Sequence, residues 1–430
     1  MGARRRHLLA ALRHDESGLG LIEVIVSSML LVLVASGVYL GLDGASATSA
    51  VNKQRSTASG LAQEDQDRMR AMAVNELSNY RATTTRAIGP ITYTIASSAS
   101  WVTDSTGSAS CTSGTARAHY LRIASSVTWP SMRIAPITVE SVVAPPAGSF
   151  STDLGSLAVQ VRDRDGNGLP GVGVTLTGAR NFNDTTNEAG CVLWGFLPVG
   201  NYTVGVSKLG YVDANGVAAP TQVAGVVGAS TQTLAFDYDL AGWIDASFQT
   251  LDRAGGRAVA ANGSAVSLVN GHWSVPRVVT GAAGPALRVD QLYPFPEGYG
   301  VYAGNCAGAR PDLYGGTVPV AIVPRGARAA VTLFEPPVDL LVTRSGNPVA
   351  GAIVKLTGTA SGCGALQNRT TGVDGYMTDR ALPYGTYDVC VQATVSGTTY
   401  ALRGTVANTT ATGVPSSSAT YALTTAGTCP

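Results

Sequence analysis

The strongest constraint on this chain is an apolar stretch near its N-terminus. Residues 24–42 contain no charged side chain. At about 1.5 Å per residue, a helix of this length spans roughly 28 Å, close to the thickness of the hydrocarbon core of a bilayer. Four arginines precede it, and basic flanks stay on the cytoplasmic side. The sequence therefore predicts one membrane-crossing helix, with the remainder of the chain outside.

Glu23 is the one charge at the start of this helix. An ionised carboxylate inside a bilayer costs at least about 2.5 kcal/mol unless a cation pairs with it. Cleavage after Gly18 would supply that cation, because it creates a free amino group at Leu19, four residues before Glu23. We expect the carboxylate of one subunit to neutralise the new N-terminus of a neighbouring subunit.

The segment SGLGLIE, which ends at Glu23, resembles the N-terminal motif of type IV prepilins and pseudopilins. In that family a short basic leader ends in Gly, and Glu occupies the fifth mature position. The resemblance implies that Gly18 precedes the prepilin peptidase cut and that Leu19 becomes an N-methylated terminus. It also implies that Glu23 sets the register of subunits during assembly. Residues 1–18 are then the leader.

A secretory signal is the alternative interpretation of the same region. Ala45-Ser46-Ala47 has the form of a signal peptidase site just beyond the apolar run, and cleavage there would release the whole exterior part. The run is longer than the roughly 7 to 15 apolar residues typical of such signals, and it contains Glu23. Both features favour the prepilin interpretation.

The helical pattern continues beyond the apolar stretch. Apolar residues recur at spacings of three to four, with charged residues between them. The apolar residues are Ala58, Leu61, Ala62, Met69, Met72 and Leu77. The charged residues between them are Glu64, Asp65, Asp67, Arg68 and Arg70. We predict one long N-terminal α-helix over residues 19–80, transmembrane in its first half and packed under a head in its second.

Beyond residue 80, short alternating runs rich in Val, Thr, Ser and Gly predict a mainly β head. Strands are expected at residues 91–96, 120–127 and 137–143. We assign residues 81–148 to a pilin-like β head, which ends in the Pro145-Pro146-Ala147-Gly148 linker.

An internal repeat organises much of the remaining chain. Six residues recur at a constant offset of 185 positions, which indicates two copies of one module. The six are Thr186, Gly190, Leu197, Pro198, Gly200 and Tyr202, matched by Thr371, Gly375, Leu382, Pro383, Gly385 and Tyr387.

The alternating strands and Leu-Pro-x-Gly-x-Tyr turns of the repeat resemble the transthyretin-like sandwich called the carboxypeptidase regulatory-like domain. The resemblance implies tandem β-sandwich modules at residues 149–240 and 337–430, without chemistry of their own. Residues 241–336 lack the motif and are predicted to form a third β-module of uncertain family. Its Tyr293 and Phe295 either form a ligand surface or fill a core, and burial is the commoner outcome for such residues.

The chain lacks the motifs of an enzyme or a metal protein. Its four histidines form no H-E-x-x-H motif, and no G-x-S-x-G motif occurs. Residues 163–168 match the first half of a calcium loop, but Val174 stands where a bidentate Glu is required. We predict no catalysis, no metal and no cofactor. From Leu19 onward, 25 basic residues face 26 acidic ones, so we expect no binding of nucleic acid.

All six cysteines lie in the predicted exterior part, and an even number in an oxidising space is consistent with disulfides. They could equally remain free, since some lie in different modules. Among the many possible pairings, we expect Cys363 to pair with Cys390 or Cys429.

These patterns favour a minor pilin or pseudopilin, a structural subunit of a type IV pilus or related secretion filament at the cell surface. The expected partners are prepilin peptidase, other pilin subunits and, through residues 24–42, the membrane. The β-modules would serve assembly or adhesion, and the sequence identifies no adhesive ligand. The alternative is a membrane-anchored surface protein that binds a carbohydrate, a wall polymer or a host partner without entering a filament.

Overall fold

A computed structural model describes the chain from Leu19 onward, except residues 104–110, 112–119, 131, 133–134, 147–151, 254–255, 365 and 410–416. These residues form a long N-terminal helix followed by a mainly β head in several sheets, which confirms the predicted fold class. They divide into two compact units. Unit 1 comprises Met1–Ser100 and Leu121–Pro145, and unit 2 comprises Trp101–Tyr120 and Pro146–Pro430, as far as their residues are described.

Helix α1 spans Leu19–Arg70 and is followed by the short helix α2, Val74–Leu77. The predicted helix over residues 19–80 is therefore too long. Ala73 has extended backbone angles (φ −66°, ψ 143°), which interrupt the helical hydrogen bonds between α1 and α2. Asn79 then has a positive φ of 59°, a left-handed conformation that Asn tolerates and that turns the chain into the first strand.

Unit 1 is completed by a four-stranded sheet with strands in sequence order. Its strands are β1 (Arg81–Ile88), β2 (Ile91–Val102), β3 (Tyr120–Thr128) and β4 (Ile137–Val143). The last three were predicted, and β4 has the predicted bounds. Strand β1 was missed because its threonine-rich sequence lacks apolar alternation, as suits an edge strand that is largely exposed.

Unit 2 contains three consecutive pairs of sheets, which we call modules 1, 2 and 3. Module 1 consists of β5 (Leu154–Arg162), β6 (Gly173–Thr177), β7 (Phe182–Thr185), β8 (Cys191–Pro198), β9 (Gly200–Ser207), β10 (Tyr211–Asp213), β11 (Thr221–Val226) and β12 (Thr231–Leu240). Module 2 consists of β13 (Gly242–Leu251), β14 (Ala258–Ala260), β15 (Gly263–Val269), β16 (Arg277–Gly284), β17 (Ala286–Leu292), β18 (Tyr299–Ala303), β19 (Val320–Ala321) and β20 (Arg328–Phe334). Module 3 consists of β21 (Val338–Arg344), β22 (Asn347–Pro348), β23 (Ile353–Gly358), β24 (Leu366–Thr370), β25 (Gly385–Val395), β26 (Thr398–Asn408) and β27 (Ser417–Ala422). Two 3₁₀ helices, Ala307–Ala309 and Pro311–Tyr314, lie between β18 and β19.

All three modules share one pattern of strand pairing. In each, the first strand pairs in parallel with the last: β5 with β12, β13 with β20, and β21 with β27. In each, the second sheet has a central strand between two antiparallel neighbours: β6 between β7 and β9, β15 between β16 and β18, and β23 between β24 and β25. Module 2 thus has the same arrangement as the two sequence repeats, although it lacks their motif.

The repeated residues hold equivalent turns in modules 1 and 3. Thr186 accepts a hydrogen bond from the N–H of Val172 and donates one to the carbonyl of Leu169, at 2.9 and 2.7 Å. Thr371 makes the same pair of bonds in module 3, at 2.9 and 2.6 Å. In each module the buried hydroxyl satisfies one backbone N–H and one backbone carbonyl of the turn. A side chain that both donates and accepts is needed there, which explains why threonine recurs.

The repeated tyrosines fix the corner before β9 and β25. Tyr202 donates its hydroxyl to the carbonyl of Pro198 at 3.1 Å, and Tyr387 donates to that of Pro383 at 2.8 Å. In module 2, Tyr299 donates to a carbonyl six residues upstream at 2.7 Å, so the corner survives without the motif. The neighbouring Tyr293 and Phe295 are also buried in the module 2 core, which confirms the core interpretation over a ligand surface.

Disulfide bonds join all six cysteines: Cys111–Cys191, Cys306–Cys363 and Cys390–Cys429. The predicted pairing of Cys363 with Cys390 or Cys429 is wrong. Cys363 pairs instead with Cys306, because the segment after β18 lies against the β23–β24 loop of module 3.

Trp101, near the end of β2, and Cys111 belong to unit 2 and not to the predicted head at residues 81–148. Trp101 stacks on Phe196 with ring centroids 5.3 Å apart, and its indole lies against Gly195. Cys111 is bonded to Cys191 on β8. These contacts depend on side chains far apart in sequence, so turn signals alone did not reveal them.

Candidate assembly helix

The first half of α1 has no covering partner among the described residues. Every residue from Gly20 to Lys53 is exposed, including Leu21, Leu31 and Tyr39, each more than 70% exposed. Soluble domains do not leave so large an apolar surface in water. By length and composition, α1 is long and apolar enough to cross a membrane.

The predicted assembly residues lie at the N-terminal end of this surface. Leu19 is the first residue of α1, and Gly18 lies outside the described residues. Glu23 follows Leu19 by four residues, so the two occupy one face of the helix about 6 Å apart along its axis. Glu23 is exposed and forms no ion pair with any described residue of its own chain. Its carboxylate is therefore available to a group on another chain.

The second half of α1 buries one face in unit 1. The buried apolar residues are Ala58, Leu61, Ala62 and Met69, which repeat at helical spacing as predicted. Ala58, Leu61 and Ala62 pack on the sheet beside Tyr93, Ile95 and Val127. Leu77, in α2, is buried as well, whereas Met72 is only partly covered.

Two polar residues on the same face fix the helix to the sheet. Asp65 accepts hydrogen bonds from Ser125 at 2.6 Å, Ser97 at 2.8 Å and Arg68 at 2.6 Å. Asp65, one of the charged residues that the sequence places between the apolar positions of the helix, is buried. Its position four residues after one buried apolar residue and four before another was the sequence signal that could have revealed it.

Asp65 remains charged in this environment. Burial opposes its ionisation, but hydrogen bonds from Ser125, Arg68 and Ser97 outweigh burial and hold the pKa of Asp65 below its usual value. Gln66, the next residue, donates to the carbonyl of Val139 at 2.9 Å. The helix therefore contacts β2, β3 and β4 through specific bonds as well as apolar packing.

An arginine from module 2 lies against residues 163–168 of module 1, the turn that matches only the first half of a calcium loop. Arg325 approaches the carboxylates of Asp239 at 2.8 Å, Asp165 at 2.9 Å and Asp163 at 3.1 Å. The loop carboxylates thus neutralise a guanidinium and connect two modules. Arg380 joins modules 2 and 3 in a similar way, binding Asp339 at 2.8 Å and a module 2 carbonyl at 3.0 Å.

Comparisons with known proteins leave the family open. No family model matches the chain, and no curated protein matches it. The TIE protein of Bacillus anthracis matches at 12% identity and a TM-score of 0.21, covering 80% of this chain and 74% of that one. The minor pilin GBS52 of Streptococcus agalactiae matches at 15% identity and a TM-score of 0.23, covering 42% of this chain and 95% of that one. The major pilin subunit BcpA of Bacillus cereus matches at 13% identity and a TM-score of 0.19, covering 63% of this chain and 99% of that one. Similarities this low assign neither a family nor a function.

Proposed function

We propose that this chain is a low-copy structural subunit of a type IV pilus or related secretion filament. The exposed half of α1 inserts first into the membrane and then into a bundle of helices from neighbouring subunits. The observation that carries this proposal is the apolar surface of residues 24–42, which the described residues of the chain leave uncovered. A tether would need only the bilayer, whereas the acid at Glu23 requires a cationic partner inside it.

Glu23 supplies the register of assembly in this proposal. After prepilin peptidase removes the leader, the amino group of Leu19 on one subunit pairs with the Glu23 carboxylate of the next. A subunit displaced along the bundle leaves both charges unpaired in hydrocarbon, which costs several kcal/mol. Gly37, Gly41 and Gly44 have no side chain, and a Cβ added to any of them would point into open space, so these positions permit close approach of another helix.

In this proposal, the three β-modules enlarge the exterior part of the subunit. Modules 1 and 3 carry the turn that resembles the carboxypeptidase regulatory-like domain, and such modules serve as spacers or accessories. A chain of 43.9 kDa is bulky for the repeating subunit of a thin fibre, which favours a tip or minor position. The alternative remains a surface protein that uses α1 only as a tether.

The N-terminus of the processed protein provides the first test. The full chain is expressed with and without prepilin peptidase, and the membrane-bound product is sequenced from its N-terminus. We expect the product to start at Leu19 only when the peptidase is present. A product that starts at Thr48 would indicate signal peptidase cleavage and contradict the proposal.

Incorporation into filaments separates a subunit from a tethered protein. We expect Glu23→Val to insert in the membrane normally but to disappear from sheared filaments. Asp43→Val is the matched control, since it removes an exposed acid from the same helix outside the apolar stretch. Equal recovery of the two variants in filaments would exclude the pairing mechanism, and absence of the wild type from filaments would favour the tether.

A further inference from the structure

Glu335 is a buried carboxyl at the junction between module 2 and module 3. It begins the short connection from β20 to β21 and is 3% exposed. Its N–H donates to the carbonyl of Gln249 in module 2 at 2.8 Å. The carbonyl of the next residue, Pro336, accepts a hydrogen bond from the side chain of Asn408 in module 3 at 3.1 Å. Glu335 thus lies where the chain passes from the hydrogen bonds of one module to those of the next.

The carboxyl group lacks full compensation for a charge. Its Oε2 atom is buried and has no hydrogen-bond partner in the described structure. Arg369, on β24, is a nearby cation, but it already pairs with Asp379 at 3.2 Å, and Asp379 repels a carboxylate at Glu335. The buried phenol of Tyr387, on β25, is the other titratable group that interacts with it. An ionised Glu335 would therefore be a poorly solvated charge.

The other charged groups at this junction neutralise one another. Arg253 of module 2 contacts Asp339 at 3.1 Å and Asp374 at 2.8 Å, and Arg380 also binds Asp339. These ion pairs are partly exposed. Glu335 is the member of the junction whose charge changes near neutral pH, because burial, with repulsion from Asp379 in addition, raises its pKa to about 7.

We propose that Glu335 makes the junction between module 2 and module 3 sensitive to pH. With the carboxyl neutral, the junction is closed. When the carboxyl ionises, water must reach it, and the junction opens locally while the Cys306–Cys363 disulfide keeps the two modules tethered. This inference does not depend on the proposed filament, since it concerns contacts within unit 2 alone.

The direction of the effect follows from proton linkage. The closed state holds the proton more tightly than an open state with an ordinary carboxyl pKa near 4.5. Stability of the closed junction is therefore full below about pH 4.5, falls as the pH rises towards 7, and then levels off. Between pH 5 and pH 8, the opening equilibrium should increase roughly 10- to 100-fold.

Hydrogen exchange of the full chain in detergent tests this inference. Three amides report on the junction, those of Glu335, Val338 and Leu382, whose acceptors are Gln249, Arg380 and Pro336. Exchange is followed by mass spectrometry at pH 5, 6, 7 and 8 and corrected for the intrinsic rate. We expect their protection to fall by the stated factor as the pH rises, while amides in the module cores remain unchanged.

Glu335→Gln separates this mechanism from general pH effects, because the amide has the same shape and no charge at any of these pH values. We expect its junction protection to be independent of pH. Glu297→Gln, which removes an exposed carboxyl of module 2, should keep the wild-type profile. Flat protection in the wild type, or a wild-type slope in Glu335→Gln, would overturn the proposal, and the wild-type measurement decides even if a variant folds poorly.

Discussion

The carboxylate of Asp65 on α1 accepts a 2.6 Å hydrogen bond from the hydroxyl of Ser125 on β3. This bond connects a helix whose first half is exposed and apolar to the sheet of unit 1. The buried face of α1 attaches the helix to this sheet, and Asp65 accepts hydrogen bonds from two of its strands, β2 and β3.

We expect Asp65→Ala to destabilise unit 1 by about 2 to 4 kcal/mol, because it leaves buried donors unsatisfied and removes a charge-assisted network. Asp67→Ala is the control, since its pair with Arg70 is exposed and worth less than about 1 kcal/mol. Urea unfolding followed by hydrogen exchange of unit 1 peptides measures both. Equal effects of the two substitutions would show that Asp65 is not a principal contact.

Unit 1 should also lose stability in acid through the same residue. Because the folded pKa of Asp65 lies below the ordinary value of 3.8, its contribution is present above that pH and is lost as the pH falls through the folded pKa. Asp65→Asn should flatten this part of the acid-unfolding curve. An unchanged curve would assign acid sensitivity to other carboxyls.

Arg325→Met should destabilise modules 1 and 2 by about 2 to 3 kcal/mol, because it leaves the buried Asp239 without its cation. Arg328→Met is the matched control. Arg328 is exposed, and its pair with the partly exposed Asp245 is longer, at 3.5 Å. Guanidinium unfolding provides the comparison. A loss no larger than that of the control would mean that backbone N–H groups satisfy Asp239 alone.

Gly195→Ala should destabilise unit 2 by about 1 to 3 kcal/mol, because the new Cβ would lie 2.5 Å from a ring carbon of Trp101. Gly271→Ala adds a methyl group to open space in module 2 and should have little effect. Thermal unfolding distinguishes them. Similar midpoints for both variants would indicate that the Trp101 side chain moves aside at little energetic cost.

Peptide mapping without reduction should recover Cys306 linked to Cys363 and Cys390 linked to Cys429. Loss of the latter bond, which closes a separation of 39 residues, should cost about 4 kcal/mol by the chain-entropy relation. The Cys390→Ser, Cys429→Ser double variant measures that cost without leaving a free thiol. A peptide linking Cys363 to Cys429 would contradict the structure.

The sequence by itself determined the features that depend on local patterns. The apolar stretch after Glu23 specified a helix with an uncovered surface, because nineteen consecutive uncharged residues form a helix long enough to cross a bilayer. The repeat at Thr186 and Thr371 specified two equivalent modules, since each residue satisfies a backbone turn within its own module. Period-two alternation located β3 and β4, because it is a pattern among residues adjacent in sequence.

Only the tertiary structure decided what depends on partners distant in sequence. It buried Asp65 because donors from two strands, Ser97 on β2 and Ser125 on β3, converge on it. It also placed Arg325 among carboxylates that include Asp163 and Asp165 of the turn that partly matches a calcium loop. It paired Cys363 with Cys306 across two modules, and it revealed the third copy of the module fold, whose strand pairing is retained without the motif. Charge and disulfide partners are chosen by proximity in the folded chain, and local sequence carries no record of that proximity.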